Sequence, residues 1–406
     1  MKHTSLGIHT LAFFQRLTND HYFSLMGIFN TLDGMNREPI KDNRDNIIGW
    51  EYTYKSPKGI RWRLISIEVN HQLTIYGITA IITPKVLIDK DYINVARASD
   101  IEIVETLFNQ ETERISPIIK SFGLCSINRS DPGLTFDVRE LNLPCSPKQL
   151  ITLGKRGNIP KGFTERMEYD KKQKRKISDP YSLYIGNGSI GVNYYWKFPK
   201  IGPKHPDYHN REEYRYVMRF ETQPKYRKLY SISKRIKHNS RFYIPTENMT
   251  AEELWEMVEN DIRNPSVPVD VMTSNMMSAE LVQKYFDKVI GKGNYVTLDC
   301  AEWMVQVHNF RRDKEERLLW TLNLIFDSRG ITKARSKLLG DDLRDFKRSI
   351  DDLNDMYINP VTIPEAWGID HISNPLRAYY DSITDEQIIS HSESLFNKLL
   401  AEYLSK

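Results

Sequence analysis

The chain has 406 residues, of which 40% are apolar and 27% charged, and its formal net charge is +4. This length and composition predict a globular protein of two or three domains and exclude a disordered chain or a small disulfide-stapled scaffold. The cysteines lack the spacing of a disulfide framework or a zinc site, which favours a reducing cytoplasm; they are Cys125, Cys145 and Cys300. The N-terminal segment lacks the regions of a signal peptide, and no segment approaches the roughly 18 apolar residues of a membrane span, so we expect a soluble, cytoplasmic protein.

The basic residues are unevenly distributed along the chain. Residues 151–241 contain 22 Lys and Arg against 8 Asp and Glu, a local net charge of +14, so the rest of the chain carries −10. An excess of this size in the middle of a chain predicts a polyanionic partner such as nucleic acid. The alternative is that the long basic side chains only solvate a surface.

The first part of the chain is rich in aromatic and β-branched residues. Three of its segments, separated by SPKG and NHQ, have the composition of β-strands, at residues 50–55, 59–69 and 73–87. Apolar residues at helical spacing then predict a helix over residues 98–122, with Gly123 as its C-cap. The fold is therefore predicted to begin with a sheet followed by a helix.

The middle of the chain alternates strands, one helix and basic loops. Residues 124–138 predict a strand on one or both sides of an Asp-Pro-Gly turn, whereas Ser146, Pro147 and Gly157 mark the N-cap, the first turn and the end of a helix. The segment 166–180 is too polar to pack and is predicted as a basic loop. Three more strands follow, two of them around the turn GNGSIG, at residues 181–186, 192–198 and 215–223.

The pattern changes to helices beyond residue 245. A capping box at Thr250 and Glu253 predicts a helix start there. Apolar residues at three-to-four spacing predict helices at 251–262, 278–290, 300–307, 314–326, 341–355 and 385–404. We therefore predict an α+β protein, with a mainly antiparallel, nuclease-like β-sheet domain and packed helices at residues 1–245 and a helical DNA-binding or assembly domain at 246–406.

Side chains along two of the predicted strands divide into an apolar and a polar face. In the strand VNYYWKF the apolar face carries Tyr194, whereas Tyr195 and Lys197 point the other way. Arg219 and Glu221 alternate with apolar residues in the strand RYVMRFETQ. If both strands belong to one sheet, its polar face holds a candidate site that consists of Tyr195, Lys197, Arg219 and Glu221.

These residue types allow nucleophilic chemistry at a phosphate. A tyrosine hydroxyl has a pKa of about 10, so as a nucleophile it needs a neighbouring cation or metal that favours the phenolate. Lys197 supplies such a charge, and Glu221 is a suitable ligand for Mg²⁺ or Mn²⁺. The alternative is that Tyr–Lys and Arg–Glu pairs are ordinary cross-strand contacts without a catalytic role.

The order of three short motifs resembles that of the phage and plasmid replication initiators related to the gene II protein of filamentous phages. It is similar, more loosely, to the rolling-circle initiators of plasmids and the conjugative relaxases of Gram-positive bacteria. The resemblance covers roughly residues 50–335, and a helical C-terminal part follows in both. The motifs are Arg129-Ser130-Asp131, Tyr195-Trp196-Lys197 and Arg219-Phe220-Glu221.

The resemblance implies a rolling-circle DNA replication initiator with endonuclease and strand-transfer activity. In this family a tyrosine attacks a phosphodiester of one strand, forms a 5′-phosphotyrosine and frees a 3′-OH that primes replication. Tyr195 is then the nucleophile, Lys197 its electrostatic helper, and Asp131 and Glu221 are the carboxylates that hold Mg²⁺ or Mn²⁺. The implied partners are single-stranded and duplex origin DNA, a host helicase and a polymerase, with self-association of the chain.

Several positions depart from the wider rolling-circle superfamily. Its His-hydrophobe-His metal motif is absent from the sequence, and His3 and His9 do not have the required spacing. Asp131 precedes Pro-Gly and is equally suited to a turn, which makes Asp137 the alternative ligand. Tyr194 replaces Tyr195 as the nucleophile if a β-bulge shifts the strand alternation.

Two basic segments, at residues 155–176 and 225–241, are predicted to be loops that follow a DNA backbone and stack its bases. The aromatic residues interleaved with the cations are Tyr226, Tyr230, Phe242 and Tyr243. This combination is typical of single-strand binding surfaces. The predicted DNA-contacting residues are Lys155, Arg156, Arg175, Arg219, Lys225, Arg227 and Lys228.

Three other functions remain open. The first is a non-catalytic DNA-binding regulator of a mobile element, since a basic surface binds DNA without any catalytic activity. The second is a relaxase, because conjugative transfer begins with the same cleavage. The third is a tyrosine recombinase, because His308 and Arg311 match its His-x-x-Arg pattern and His371 precedes Tyr380; the separation of about sixty residues between Arg311 and His371 argues against it. The segment GNGSIG is not followed by Lys-Ser or Lys-Thr, so it does not predict an ATPase.

Overall fold

A ten-stranded antiparallel sheet forms the centre of the protein. The computed structural model describes residues 2–69, 73–170, 175–201, 211–238, 269–383 and 391–405. The strands of this sheet are β1 (Ser5–Leu17), β2 (Asn36–Lys41), β3 (Ile47–Lys55), β4 (Arg61–Val69), β5 (Leu73–Ile82), β6 (Ser126–Asp137), β7 (Thr164–Glu165), β10 (Ser182–Gly186), β11 (Ile190–Trp196) and β12 (Val217–Pro224). Across the sheet they lie in the order β2-β3-β4-β5-β1-β6-β12-β11-β10-β7.

Two short strand pairs lie outside this sheet. One is a hairpin of β8 and β9, and the other joins two strands of the C-terminal part; their bounds are β8 (Glu168–Asp170), β9 (Arg175–Ile177), β13 (Tyr295–Val296) and β14 (His371–Ile372). The helices of the described residues are α1 (Asn19–Phe29), α2 (Pro84–Asp89), α3 (Ile101–Ile115), α4 (Pro147–Arg156), α5 (Lys197–Ile201), α6 (Tyr226–His238), α7 (Val269–Thr273), α8 (Asn275–Val289), α9 (Leu298–Val307), α10 (Arg312–Ser328), α11 (Ile331–Arg335), α12 (Gly340–Asp355), α13 (Pro375–Ile383) and α14 (His391–Leu404). The α+β class with a mainly antiparallel sheet is confirmed.

The two halves of the large sheet have the same connectivity. In each half a long strand leads through a helix to an edge of the sheet, and the chain then returns strand by strand until it pairs with the long strand. One half is β1, α1 and β2 to β5, and the other is β6, α4, β7 and β10 to β12. Because β1 and β6 pair antiparallel at the centre, a pseudo-two-fold axis passes between them.

Helices cover one face of this sheet and form the main hydrophobic core with it. In the first half, Phe13 and Trp62 pack against Phe108 of α3, with ring centroids 5.3 and 5.7 Å apart. In the second half, Phe220 packs against Phe286 of α8 at 4.9 Å. Helix α8 follows the predicted domain boundary in sequence, yet it belongs to the same core as the strands. The predicted boundary itself lies outside the described residues.

The C-terminal helices have a second core of their own. It lies between α9, α10, α12 and α14 and includes Met304, Leu322, Leu353 and Phe396. These helices confirm four of the segments that the three-to-four spacing predicted. Among the described residues, no helix is both long enough and apolar enough to cross a membrane.

Most of the predicted strands are confirmed, with one important omission. Strands β3, β4 and β5 match the three segments predicted first, and β10, β11 and β12 match the three predicted last. Strand β1 was not predicted although it lies at the centre of the sheet. The predicted helix over residues 98–122 is shorter than expected, because α3 ends at Ile115 and Pro117 cannot continue it.

Three predicted turns and loops are wrong. The Asp131-Pro132-Gly133 segment is part of strand β6 and not a turn. The predicted loop over 166–180 contains the hairpin of β8 and β9. Most of the predicted loop over 225–241 is helix α6, and the buried side chains in its described first part include Leu229 and Ile232. The N-cap of α4 was predicted correctly, since Ser146 accepts a hydrogen bond from the backbone N–H of Gln149 at 3.3 Å.

Several predictions concern residues that the structure does not describe. They are the aromatic residues Phe242 and Tyr243, the capping box at Thr250 and Glu253, and the helix over 251–262. These predictions stay untested.

Gly7→Ala is expected to destabilise the protein, because a Cβ atom at Gly7 would lie 1.9 Å from the carbonyl oxygen of Ala96. That carbonyl accepts a hydrogen bond from the Ile8 N–H at 2.7 Å, so the backbone of the segment must move. We expect the free energy of unfolding to fall by about 3 kcal/mol, measured by urea denaturation. The matched control is Gly27→Ala in α1, where a Cβ atom meets nothing within 4 Å and a gain of up to about 1 kcal/mol is expected. Equal effects of the two substitutions would contradict this account.

Candidate active site

Two neighbouring strands present the predicted tyrosine on the face of the sheet that the helices leave open. Strands β11 and β12 pair without a register shift from Ile190 to Trp196, so side chains keep their alternation along β11. Tyr194 is buried in the core, as predicted. Tyr195 therefore points to the opposite face, where it lies directly across from Arg219.

The Tyr195 hydroxyl is surrounded by charged groups. Its oxygen lies 3.5 Å from Nη1 of Arg219, while its ring is half-buried. Burial raises the pKa of this hydroxyl above its ordinary value; the Arg219 guanidinium lowers the pKa in part, and the carboxylates of Glu221 and Asp131 raise it further. The phenol therefore holds its proton at neutral pH, and a further positive charge is needed to make it a nucleophile.

Arg219, which was predicted to contact DNA, is fully buried. Its guanidinium donates hydrogen bonds to Thr135 Oγ1 at 2.8 Å, to the carbonyl of Asn94 at 3.2 Å and to the carbonyl of Ile93. The segment that contains Ile93 and Asn94 therefore covers this part of the open face. Arg219 holds that segment to the sheet and places a cation beside Tyr195.

Lys197 lies at a different place from the one predicted. Strand β11 ends at Trp196, and Lys197 begins the short helix α5. Its side chain is buried, and Nζ donates a hydrogen bond to the carbonyl of Tyr92 at 2.5 Å. Lys197 thus contacts the same covering segment as Arg219 and does not continue the strand face on which Tyr195 lies.

A proline within β6 brings a histidine to the site. Pro132 has no N–H for the ladder, and the pairing of β1 with β6 shifts register opposite it, at His9. Nδ1 of His9 lies 3.3 Å from Oε2 of Glu221. The spacing of His9 in the sequence did not indicate a place in this site. Only the pairing of β1 with β6 brings His9 close to Glu221.

Asp131 is a buried carboxylate that pairs with an arginine. It has no exposed surface, and Arg129 donates to it through Nε at 2.9 Å and Nη2 at 2.6 Å. Burial raises the pKa of Asp131 to about 7, against the opposing effect of Arg129 and with a contribution from Glu221. A carboxyl group that titrates near neutral pH beside other charged groups is typical of a functional site.

Glu221 has one carboxylate oxygen that accepts no hydrogen bond from the described residues, although His9 Nδ1 lies 3.3 Å from it. Oε1 accepts hydrogen bonds from Gln223 Nε2 at 2.9 Å and from Asn193 Nδ2 at 3.5 Å. Oε2 is buried and accepts no hydrogen bond from any residue that the structure describes. A buried carboxylate oxygen without a donor costs free energy unless a cation or another donor reaches it.

The groups around Glu221 fit a divalent cation in part. A carboxylate oxygen and an imidazole nitrogen, here from Glu221 and His9, are ligands that Mg²⁺ or Mn²⁺ accepts. Asp131 is less available, because Arg129 occupies both of its oxygens. The alternative ligand Asp137 is held by Arg139 Nη2 at 2.7 Å. Within the described ranges, no three His, Cys, Asp or Glu side chains are grouped as a metal site.

The other predicted DNA-contacting residues differ in exposure. Lys225 and Arg227 are exposed, and Lys228 is half-buried on α6. Lys155 is also half-buried, and its Nζ donates to Ser178 Oγ at 3.0 Å. Arg156 follows Lys155 at the end of α4, and its pKa is lowered by burial and by Arg329; Arg175 lies in β9.

Arg219→Met is expected to destabilise the fold by about 2–4 kcal/mol, because buried backbone carbonyls of the covering segment lose their donor. The measurement is urea denaturation followed by circular dichroism. Arg227→Met on the exposed face of α6 is the matched control and is expected to change stability by less than about 0.5 kcal/mol. If Arg219→Met were as stable as the control, the covering segment would not depend on this residue.

Asp131→Asn is expected to remove a pH-dependent loss of stability. The pKa of Asp131 is raised to about 7, whereas its unfolded value is about 3.9, so the folded state binds this proton more tightly. Ionisation of Asp131 therefore lowers the free energy of unfolding as the pH rises from about 4 to about 7. Over that range the stability of the variant should rise relative to wild type, as measured by urea denaturation at several pH values. A difference that does not vary with pH would show that Arg129 keeps Asp131 ionised throughout.

Comparison with known proteins finds distant similarity to solved structures. No protein-family model matches the sequence, and no curated protein matches it. The structure of a rolling circle replication initiator protein from Geobacillus stearothermophilus is similar with a TM-score of 0.28 and 14% sequence identity, over 64% of this chain and 85% of that chain. A similarity at this TM-score does not establish a shared fold.

Proposed function

We propose that this chain is a replication initiator that nicks one DNA strand at an origin and stays attached to the new 5′ end. The observation that carries the proposal is the location of Tyr195 on the open face of the sheet, beside the Arg219 cation and near two buried carboxylates. Phosphoryl transfer to a tyrosine needs a nucleophilic oxygen, positive charge at the phosphate and a proton acceptor. Residues of the three motifs also lie on adjacent strands, β6, β12 and β11, whereas Lys197 follows the end of β11.

The proposed step exchanges one phosphate ester for another. The Oη atom of Tyr195 attacks the scissile phosphorus, the Oη–P bond forms and the P–O3′ bond breaks. The phenolic proton passes to solvent, because the carboxylate of Glu221, the diagonal neighbour of Tyr195 across β11 and β12, holds the divalent cation in this proposal. The departing 3′ oxygen takes a proton from solvent. The number of phosphodiester bonds is conserved, so the step is reversible and needs no nucleotide cofactor.

A divalent cation is part of the proposal, with Mg²⁺ or Mn²⁺ held by Glu221 and His9. When bound, it supplies positive charge that polarises the phosphate and favours the phenolate. Asp131 joins this set only if Arg129 releases one of its oxygens. Arg219 remains in place in either case, because its guanidinium is fixed by carbonyls of the covering segment.

The product of the step determines the partners that we propose. A free 3′-OH primes synthesis by a polymerase, and the displaced strand requires a helicase. Origin DNA in single-stranded and duplex form is the substrate, and we place the reaction in the cytoplasm. A conjugative relaxase performs the same cleavage, so the chemistry of the site serves initiation of transfer equally well.

The recombinase alternative is not supported by the location of its residues. His308 caps the end of α9, and Arg311 caps the start of α10. His371 lies in β14, 5.9 Å from the ring of Phe396, and burial lowers its pKa to about 4. Tyr380 lies in α13. All four residues lie in or next to helices and a short strand of the C-terminal part, whereas Tyr195 lies among charged groups on the large sheet.

Tyr195→Phe is expected to abolish a covalent protein–DNA adduct. Wild-type protein is incubated with labelled single-stranded oligonucleotides and Mn²⁺, Mg²⁺ or EDTA, and adducts are separated on denaturing gels. We expect a metal-dependent adduct through the 5′ phosphate, reduced roughly 10³-fold or more in the variant because the attacking oxygen is gone. The matched control is Tyr181→Phe, an exposed tyrosine that directly precedes β10 and has no role in the proposed site, which should retain the adduct. An adduct that persists in Tyr195→Phe would show that another residue is the nucleophile, and no adduct from wild type would favour the non-catalytic regulator.

A further inference from the structure

A row of basic residues crosses the open face of the sheet, about four residues along β12 from Glu221. The row consists of six residues, each of which pairs with the next one on the neighbouring strand, from β3 to the residue that follows β12. The members, in spatial order, are Lys55, Arg61, Ile81, Ala12, Arg129 and Lys225. We call the four basic residues the cationic row. At about 4.8 Å between strands it spans roughly 24 Å, and it lies roughly 13 Å from Glu221 along the strand.

The cations of this row are accessible. Lys55, Arg61 and Lys225 are exposed, and the Arg129 side chain is 44% exposed although it pairs with Asp131. The row itself contains no carboxylate at any of its positions. A surface that only needs solvation usually mixes charges of both signs, so an unmixed row at this position requires another explanation.

A cleft lies along the middle of the row. Its lining includes two neighbouring apolar residues, Ala12 and Ile81, which we call the apolar floor, together with Arg129, Lys225 and Tyr184. The rest of the lining is polar and consists of Arg63, Thr79, Asn128 and Gln223. Tyr184 donates a hydrogen bond to Gln223 Oε1 at 3.1 Å, which fixes its ring at the edge of the cleft. An apolar floor with a ring and flanking cations has the features of a surface on which unstacked bases lie while phosphates contact the rim.

The same cleft contains a polar atom without a partner. Asn128 is one of its lining residues, and the amide oxygen of Asn128 is buried without a hydrogen bond from the described residues. Such an acceptor is suited to an amino group of a base edge, which donates hydrogen bonds. Asn128 thus points to a ligand independently of the basic residues.

We propose that the cationic row and its cleft bind single-stranded DNA next to the scissile phosphate. This inference rests on the proposed function and adds to it the path of the strand, which runs from Tyr195 across β12 and β6 toward β4. Single-stranded DNA is favoured over duplex because the apolar floor and the ring of Tyr184 are accessible only to unpaired bases. Each phosphate contact releases counterions, so the row contributes a measurable salt dependence.

The test compares two double variants in the Tyr195→Phe background, so that binding is measured without covalent attachment. Arg61→Gln with Lys225→Gln removes two exposed charges from the row. Lys347→Gln with Arg348→Gln removes two exposed charges from α12 and is the matched control. Fluorescence anisotropy of a labelled 20-nucleotide single strand and of a 20-base-pair duplex is recorded over a range of salt concentrations. Thermal unfolding checks that each variant is folded.

For the single strand, loss of two phosphate contacts should reduce the slope of log K against log salt by about 1.4, since each contact contributes about 0.7. The control should keep the wild-type slope. An equal reduction in both double variants, an unchanged slope in the row variant, or a reduction for duplex as large as for the single strand would each overturn the proposal.

Two results distinguish a failure of the proposed function from a failure of this inference. If the row variant loses the salt slope but wild-type protein forms no adduct on any oligonucleotide, the row binds DNA and the nicking function is wrong. If wild type forms the adduct while the row variant keeps both its slope and its adduct, the nicking function stands and the row is wrong.

Discussion

The antiparallel pairing of β1 with β6 is the constraint on which the rest of the structure depends. It joins the two halves of the sheet, since β1 also pairs with β5 and β6 with β12. A shift of this pairing by one residue would exchange the faces of the strand that moves, which would turn Phe13 out of the core if β1 moved or Asp131 into it if β6 moved. The register shift at His9 lets Pro132 lie in a central strand without such an exchange. The candidate active site therefore depends on the same pairing as the hydrophobic core.

The two halves share a connectivity but differ in chemistry. In the second half the open face carries Tyr195, Arg219 and Glu221, and the covering segment buries part of them. In the first half the open face of β4 and β5 carries Arg63, Thr79 and Ile81, and Arg63 is paired with Glu51 through Nε at 2.6 Å. The two halves thus place different side chains on one face of the sheet, with the candidate active site in the second half and the cationic row extending across both.

The sequence predicted the local part of this arrangement and missed the long-range part. Alternation within β11 was enough to separate Tyr194 from Tyr195, because a strand keeps its period of two wherever it lies. The strand with which each strand pairs could not be predicted in this way. Nothing in the sequence around β1 shows that it pairs with β6, so His9 was set aside and the turn at Asp131-Pro132-Gly133 was wrong. Lys197 and Arg219 were assigned from strand alternation, but their environment is set by a segment about 100 residues earlier in the chain, Tyr92 to Asn94.

Arg129 connects the two surfaces, because it belongs to the cationic row and also holds Asp131 through both carboxylate oxygens. A phosphate that binds to the row takes part of the positive charge that now stabilises the Asp131 carboxylate. Burial and the nearby Glu221 already raise the pKa of Asp131 to about 7, so any loss of the compensating cation moves this pKa further upward. By linkage, protonation of Asp131 must then strengthen binding of the phosphate by the same free energy. Occupation of the row and the protonation state of the candidate active site are therefore coupled through a single guanidinium group.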